Sequence, residues 1–291
     1  MKSPLTLPAP AKLNLFLHIV GRRADGYHML NTLFQFLDHG DSLTFTPTAT
    51  ATVSVHCSQP TLEGPDNLVN RAVQLVQEKF PNHWHGLRID IEKRLPVGGG
   101  LGGGSSDAAT TLLALRHLWQ LPMSDDELAQ LGVQLGADVP VFVHGNAAFA
   151  VGIGEQLTAC QPASPWYLVI HPDIHISTRE IFQHPDLPRA STPIQSHQWT
   201  WENTHNDCEQ LVRQLHPEVA NALDWLVEYA PSRLTGTGAC IFGRFDSQTA
   251  ATDTLAQLPA PWTGFVARGL NESPVCSLLR QASTVNLTKQ Y

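Results

Sequence analysis

Residues 10–20 alternate with a period of two: Leu13, Leu15, Leu17 and Ile19 take one face, and Lys12, Asn14, Phe16 and His18 take the other. This predicts a half-buried strand carrying a lysine and an asparagine side by side near its start. Further short strands are predicted at 33–37, 42–45 and 52–55, and Leu87–Ile91 alternates in the same way. In between, Leu68, Val69, Ala72, Val73, Val76 and Phe80 recur at helical spacing and predict a helix over 67–80. A second apolar helical pattern, Leu112, Leu113, Leu115, Leu118 and Trp119, is followed by the capping box Ser124–Glu127 of a short helix that stops at Gly136. Past a proline-rich break at 160–165, Trp166–Ile170 reads as a buried strand and 171–205 as a long polar excursion with Phe182 in it. One or two helices over 206–229, broken near Pro217, precede a helix at 246–258, a last strand at 264–267 and a loose polar tail from 281. Strands and helices interspersed in this way predict an α/β (α+β) chain, with the break dividing it into 1–158 and 159–291.

The stretch from Leu95 to Asp107 stands apart from any apolar pattern, because six of its thirteen residues are glycine. Such a backbone reaches positive φ and approaches a ligand with no Cβ in the way. Ser105, Ser106 and Asp107 sit where cap and first-turn residues belong, and a glycine loop feeding a helix N-terminus suits phosphate better than it suits a plain hinge. Gly98, Gly100 and Gly103 satisfy G-x-G-x-x-G, but Glu92–Pro96 is a charged, proline-ended approach rather than the buried strand that a dinucleotide loop follows. No lysine follows Gly104, so this is not a Walker loop, and a phosphate-binding lysine must come from elsewhere.

Composition narrows the partners. The net charge of −8 leaves no broad basic surface for nucleic acid, and 291 residues with 42% hydrophobic content allow two domains or one large one. No apolar run reads as a signal peptide or a membrane span. Five scattered cysteines without C-x-x-C suit a reducing cytoplasm, and the fourteen histidines hold no H-E-x-x-H zinc motif. The expected partner is a small molecule, with neither nucleic acid nor membrane, for a chain acting as a monomer or weak homodimer.

Only five lysines are present, so the placing of Lys12 is informative: it is either a solvated edge lysine or a buried functional cation. Asp138, the only acid between Glu127 and Glu155, lies in an apolar neighbourhood, where a carboxylate is paired, capping a turn, or catalytic. Tyr27 and His28 follow an Asp-Gly turn as half-buried loop residues or as binding groups. Gly236, Thr237 and Gly238 belong either to a hairpin turn or to a second ligand-facing loop.

Three stretches in this order, Pro10–Leu15, Pro96–Ser106 and Gly236–Cys240, resemble the small-molecule kinases of the galactokinase–homoserine kinase–mevalonate kinase (GHMP) group. Gly21–His28, Leu101–Ala109 and Gly136–Phe142 are most similar to the branch that phosphorylates a cytidine-diphosphate-linked methylerythritol, in non-mevalonate isoprenoid synthesis. The resemblance runs from about residue 8 to 274. It implies a two-domain fold with the active site in the cleft between the halves, ATP and Mg²⁺ as cofactors, and transfer of the γ-phosphoryl to the 2-hydroxyl. By resemblance Asp138 takes the proton of that hydroxyl, Lys12 keeps Asp138 ionised, and Asn14 orients the substrate. Pro96, Val97, Gly98, Gly99, Gly100, Leu101, Gly102, Gly103, Gly104, Ser105 and Ser106 would wrap the ATP phosphates, with Asn67 and Leu68 near the adenine. Tyr27 and Phe182 would sandwich the cytosine, His28 would bond its polar edge, and Gly236–Gly238 would face the substrate. No metal ligand is named by the sequence.

This reading agrees with phosphoryl transfer, which needs positioning, charge neutralisation and a base more than covalent chemistry. Three competing readings are another kinase of the same group, a nucleotide-binding regulator without turnover, and a dinucleotide-dependent oxidoreductase.

Overall fold

The computed structural model describes residues 3–288, with side chains through 281. Strands β1 (Leu5–Arg22) and β2 (His28–Pro47) form a long antiparallel hairpin whose turn carries Asp25 and Gly26. Next come β3 (Val53–Cys57), α1 (Leu68–Lys79) and β4 (Leu87–Glu92). The glycine loop leads into α2 (Gly103–Leu118), followed by α3 (Asp125–Val133), α4 (Val139–His144), β5 (Ala148–Val151) and β6 (Gln156–Ala159). The remainder comprises β7 (Trp166–His171), α5 (Thr178–Gln183), α6 (Glu209–Leu215), α7 (Pro217–Val227), β8 (Ser232–Leu234), β9 (Ile241–Phe245), α8 (Gln248–Leu255), β10 (Thr263–Leu270) and α9 (Pro274–Thr288).

Among the described residues ten strands join in one sheet whose main path runs β3-β4-β2-β10-β7-β9-β8, with β1 and β5 also paired to β2 and β6 to β5. The link between the β1–β6 part and the β7–β10 part is short: Gly269 and Leu270 of β10 pair with Leu37 and Phe36 of β2. One core lies under α1–α4 against β2 and β4, a second under α6 and α7, and a third joins them through Phe16, Tyr167 and Phe242.

Several expectations change. The strand bearing Lys12 is buried on both faces, with Lys12 and Asn14 each 3% exposed, because core packs on one side and the cleft wall closes on the other. Residues 33–45 are one strand rather than two. The polar run Asp38–Asp41 was a plausible break, yet Gly40 pairs with Pro10, and a Cβ there would collide with the Ala9 carbonyl. Helix α2 starts two residues earlier than its serines suggest, with Gly102 at φ 70° as the cap and Ser106 and Asp107 buried inside the helix. Polar appearance concealed α9, whose early part packs on β1 and α2; the backbone from 281 continues this helix to Thr288, and 289–291 lie outside the described residues.

Candidate active site

The bulge between Pro10 and Lys12 and the pairing of the Lys12 amide with the Leu101 carbonyl (2.9 Å) lay β1 directly under the glycine loop. Lys12 Nζ donates to Asn14 Oδ1 at 2.6 Å and stands 3.3 Å from Asp138 Oδ2. Asn14 in turn donates from Nδ2 to Thr32 Oγ1 at 2.9 Å, so both ends of its amide are used in fixing the ammonium. Asp138 occupies the cap position of α4 but makes no capping bond, and its side chain stays one-third exposed (33%). A carboxylate held by a buried ammonium yet open to the cleft can receive a proton from a bound hydroxyl.

Across the loop, Ala239 and Cys240 donate their amides to the Gly98 and Gly99 carbonyls (3.3 and 3.1 Å). Gly100 has φ 74°, and a Cβ on it would strike the Thr235 carbonyl, so the hairpin between β8 and β9 can seat only against glycine. This segment connects β8 to β9, and Gly236 and Thr237 in it line the cleft.

A single cleft of about 1060 Å³ brings most of the expected residues together. Pro96–Gly100, Gly102–Ser105, Asn67, Leu68, Lys12, Asn14, Tyr27, His28, Phe182 and Asp138 all line it. Leu101, Ser106 and Gly238 do not. Leu101 is in the core, the Ser106 hydroxyl is buried without a partner among the described residues, and Gly238 packs toward Leu234 and Ile176. Asn67 caps α1, accepting from the Val69 amide (2.8 Å) and donating to the Leu62 carbonyl (2.9 Å), so its amide serves the helix.

At the other end of the cleft, Tyr27 is 60% exposed while His28 is buried and stacked on Phe182, centroids 5.0 Å apart. The sequence missed Arg189, which holds this corner. Its Nε donates to His28 Nε2 at 3.0 Å, and its other nitrogens bond the carbonyls of Phe182, His184, Pro185 and Leu187. Burial first, then Arg189 and Arg22, push the His28 pKa below its ordinary value. His28 is thus neutral, and with Nε2 accepting, its proton sits on Nδ1 as a remaining donor.

Also missed was a buried charge cluster beside the loop. Lys93 Nζ bonds Asp107 (2.7 Å) and Asp41, while Asp41 Oδ1 accepts the amides of Arg94 (2.6 Å) and Leu95 (2.9 Å) at the loop's entry. Burial opposes the Lys93 charge, but the two carboxylates outweigh it and hold its pKa above the ordinary value. Burial, with Asp41 adding to it against the pull of Lys93, pushes Asp107 up to about 7. The signal was present in the sequence only as an isolated lysine before the loop.

Two family models divide the chain: the GHMP kinases N terminal domain matches residues 67–146 and the GHMP kinases C terminal domain matches 179–264. The fold and the cleft are therefore those of a small-molecule kinase of the GHMP type, the non-Walker glycine loop included. The 4-diphosphocytidyl-2-C-methyl-D-erythritol kinase of Shewanella frigidimarina (strain NCIMB 400) is 54% identical over 275 residues, 94% of each chain. That of Pseudomonas putida (strain W619) is 55% identical over 271 residues, 92% of this chain and 94% of its own. A crystal structure of 4-(cytidine 5'-diphospho)-2C-methyl-D-erythritol kinase superimposes with a TM-score of 0.79 at 31% identity, covering 91% of this chain and 99% of its own. The chain belongs to the 4-diphosphocytidyl-2-C-methyl-D-erythritol kinases. Among the described residues no helix is long and apolar enough to cross a membrane.

Proposed function

We propose that this enzyme transfers the γ-phosphoryl group of ATP to the 2-hydroxyl of 4-diphosphocytidyl-2-C-methyl-D-erythritol, giving the 2-phosphate and ADP for isoprenoid precursor synthesis. The observation that carries the reading is the Lys12–Asp138 pair at 3.3 Å, set in one cleft with the glycine loop and the Tyr27–His28–Phe182 corner. The amides of the loop receive the phosphates, and the acceptor's cytosine packs against Tyr27 and Phe182 with the His28 Nδ1 proton on its polar edge. Asp138 then accepts the proton of the 2-hydroxyl as that oxygen attacks phosphorus. Lys12, fixed by Asn14, stands 3.3 Å from the Asp138 carboxylate, orients it and offsets charge on the transferring group.

Among the described residues no group of three or more His, Cys, Asp or Glu could cage a metal. That fits Mg²⁺ arriving on the nucleotide, since this ion keeps waters and is held largely by substrate phosphates. Ser105, which lines the cleft and turns its hydroxyl toward Gly136, would supply a hard oxygen donor. When bound, the ion would neutralise the β- and γ-phosphates.

The working halves in this reading are 1–158, with the loop and the Lys12–Asp138 pair, and 159–291, with the opposite wall. Their separate strand groups support the division, while α9 returns to pack on the first half. Action in the cytoplasm, which the five free cysteines support, belongs to the same proposal, as does action without nucleic acid as a monomer or weak homodimer.

ADP release by the purified chain with Mg²⁺, followed by mass analysis of the acceptor, tests the reaction. Release that requires the cytidine-diphosphate compound and yields its monophosphate supports it. Release with homoserine or mevalonate instead would overturn the acceptor.

A further inference from the structure

The cleft described above must accommodate two groups of phosphates, and its cations are not equally free to meet them. Four lysine and arginine side chains line it: Lys12, Arg22, Lys93 and Arg179. Lys12 is committed to Asp138 and Asn14, and Lys93 to Asp41 and Asp107. Arg22 turns back on its own loop, Nε donating to the Gly26 carbonyl at 3.2 Å. Arg179 has no ion pair or side-chain hydrogen bond among the described residues, and it is exposed on the cleft wall.

Its helix gives it a direction. At one end of α5, Thr178 Oγ1 lies 3.0 Å from Thr237 Oγ1, on the hairpin that seats the glycine loop. One turn further on, Phe182 stacks with His28 at the nucleobase corner. With a rise of about 1.5 Å per residue these anchors are about 6 Å apart along the axis. Arg179 stands between them. A linker running from a base held at Phe182 toward the Thr237 hairpin and the glycine loop that it seats runs along this interval. A nucleoside diphosphate carries its negative charge on that linker.

We propose that Arg179 binds the diphosphate of the acceptor and so selects a nucleoside-diphosphate-linked alcohol over a nucleoside or a bare alcohol; this rests on the acceptor reading given above. The guanidinium fork matches two phosphate oxygens at once, which a lysine ammonium cannot do. The sequestered Lys93 leaves the neighbouring wall without a competing free ammonium.

The test is calorimetric titration of the full chain with cytidine and with cytidine 5'-diphosphate, for the native protein, Arg179→Ala and Arg179→Lys, together with KM for ATP. The native chain prefers the diphosphate. Arg179→Ala loses about 10- to 100-fold of affinity for the diphosphate, the range for a hydrogen bond to a charged group, and Arg179→Lys keeps only part of it. Cytidine affinity and the KM for ATP stay unchanged. Equal losses for cytidine and its diphosphate would make Arg179 a structural residue, and a rise confined to the ATP KM would assign it to the other nucleotide; either result overturns the proposal. A native chain that binds neither cytidine compound overturns the acceptor reading itself, whereas a native preference left intact in Arg179→Ala overturns only the role of Arg179.

Discussion

Two buried lysines flank the glycine loop, each facing aspartate, and they are built for opposite ends. Lys93 is enclosed with Asp41 and Asp107, all three side chains at most 6% exposed, and the cluster fastens the entry of the loop to the helix that leaves it. Lys12 meets a carboxylate that is 33% exposed and makes no capping bond to its own helix. The residue types are the same, so the chemistry is decided by access. A carboxylate buried almost completely against an ammonium stabilises, while one left a third exposed to the cleft can exchange a proton with a ligand.

Substitutions at the two sites separate these roles. Asp138→Asn is expected to lower kcat by about 10²–10⁴ with ATP and acceptor affinities within a few-fold, as for loss of a general base. Steady-state kinetics with parallel binding titrations check this, and near-normal turnover would remove Asp138 from the chemistry. At the other lysine, Lys93→Met leaves two buried carboxylates facing each other and is expected to cost about 3–5 kcal/mol of stability, read by denaturant unfolding. A loss of turnover at unchanged stability would place Lys93 with Lys12 instead.

Tyr27→Ala tests the corner remote from both lysines. The acceptor KM is expected to rise about 5- to 100-fold, equivalent to one base stack of about 1–3 kcal/mol, with far less change in the KM for ATP. Equal effects on both would make Tyr27 structural.

The smallest expected effect concerns pH. With its native pKa near 7 against a usual carboxyl value of 3.8, Asp107 binds its proton more tightly folded than unfolded. The native state therefore holds more protons between about pH 4 and 7, and this group's contribution to stability falls as pH rises through that window. Thermal unfolding of Asp107→Asn against the native chain is expected to show a stability difference that shifts in favour of the variant from pH 4 to 7 and then levels off. A difference independent of pH would mean that Asp107 stays ionised throughout.

What was legible in the sequence was local. The glycine loop, the capping box at Ser124 and the stripe of α1 each lie within about a dozen residues, where spacing alone reports geometry. What was not legible was joined over distance. Asp41 meets Lys93 52 residues away and Arg189 meets His28 161 residues away, so neither partnership leaves a pattern along the chain. The strands predicted at 33–37 and 42–45 are one, because Gly40 lets the backbone approach Ala9 closely, and that contact lies far along the chain. Ser106 and Leu101 were assigned to phosphate by their position in a motif, yet the early start of α2 and the burial of the loop's apical leucine turn both away from the cleft. Asp138 was singled out by isolation among apolar residues, and the structure supplied the ammonium that makes that isolation meaningful.

The most direct measurement is a double-mutant cycle on kcat with Lys12→Met, Asp138→Asn and the two combined. If the open pair acts as one unit, the combined variant is no slower than the slower single one. Losses that multiply would show two independent groups, and the contrast between the open and the enclosed lysine would no longer explain catalysis.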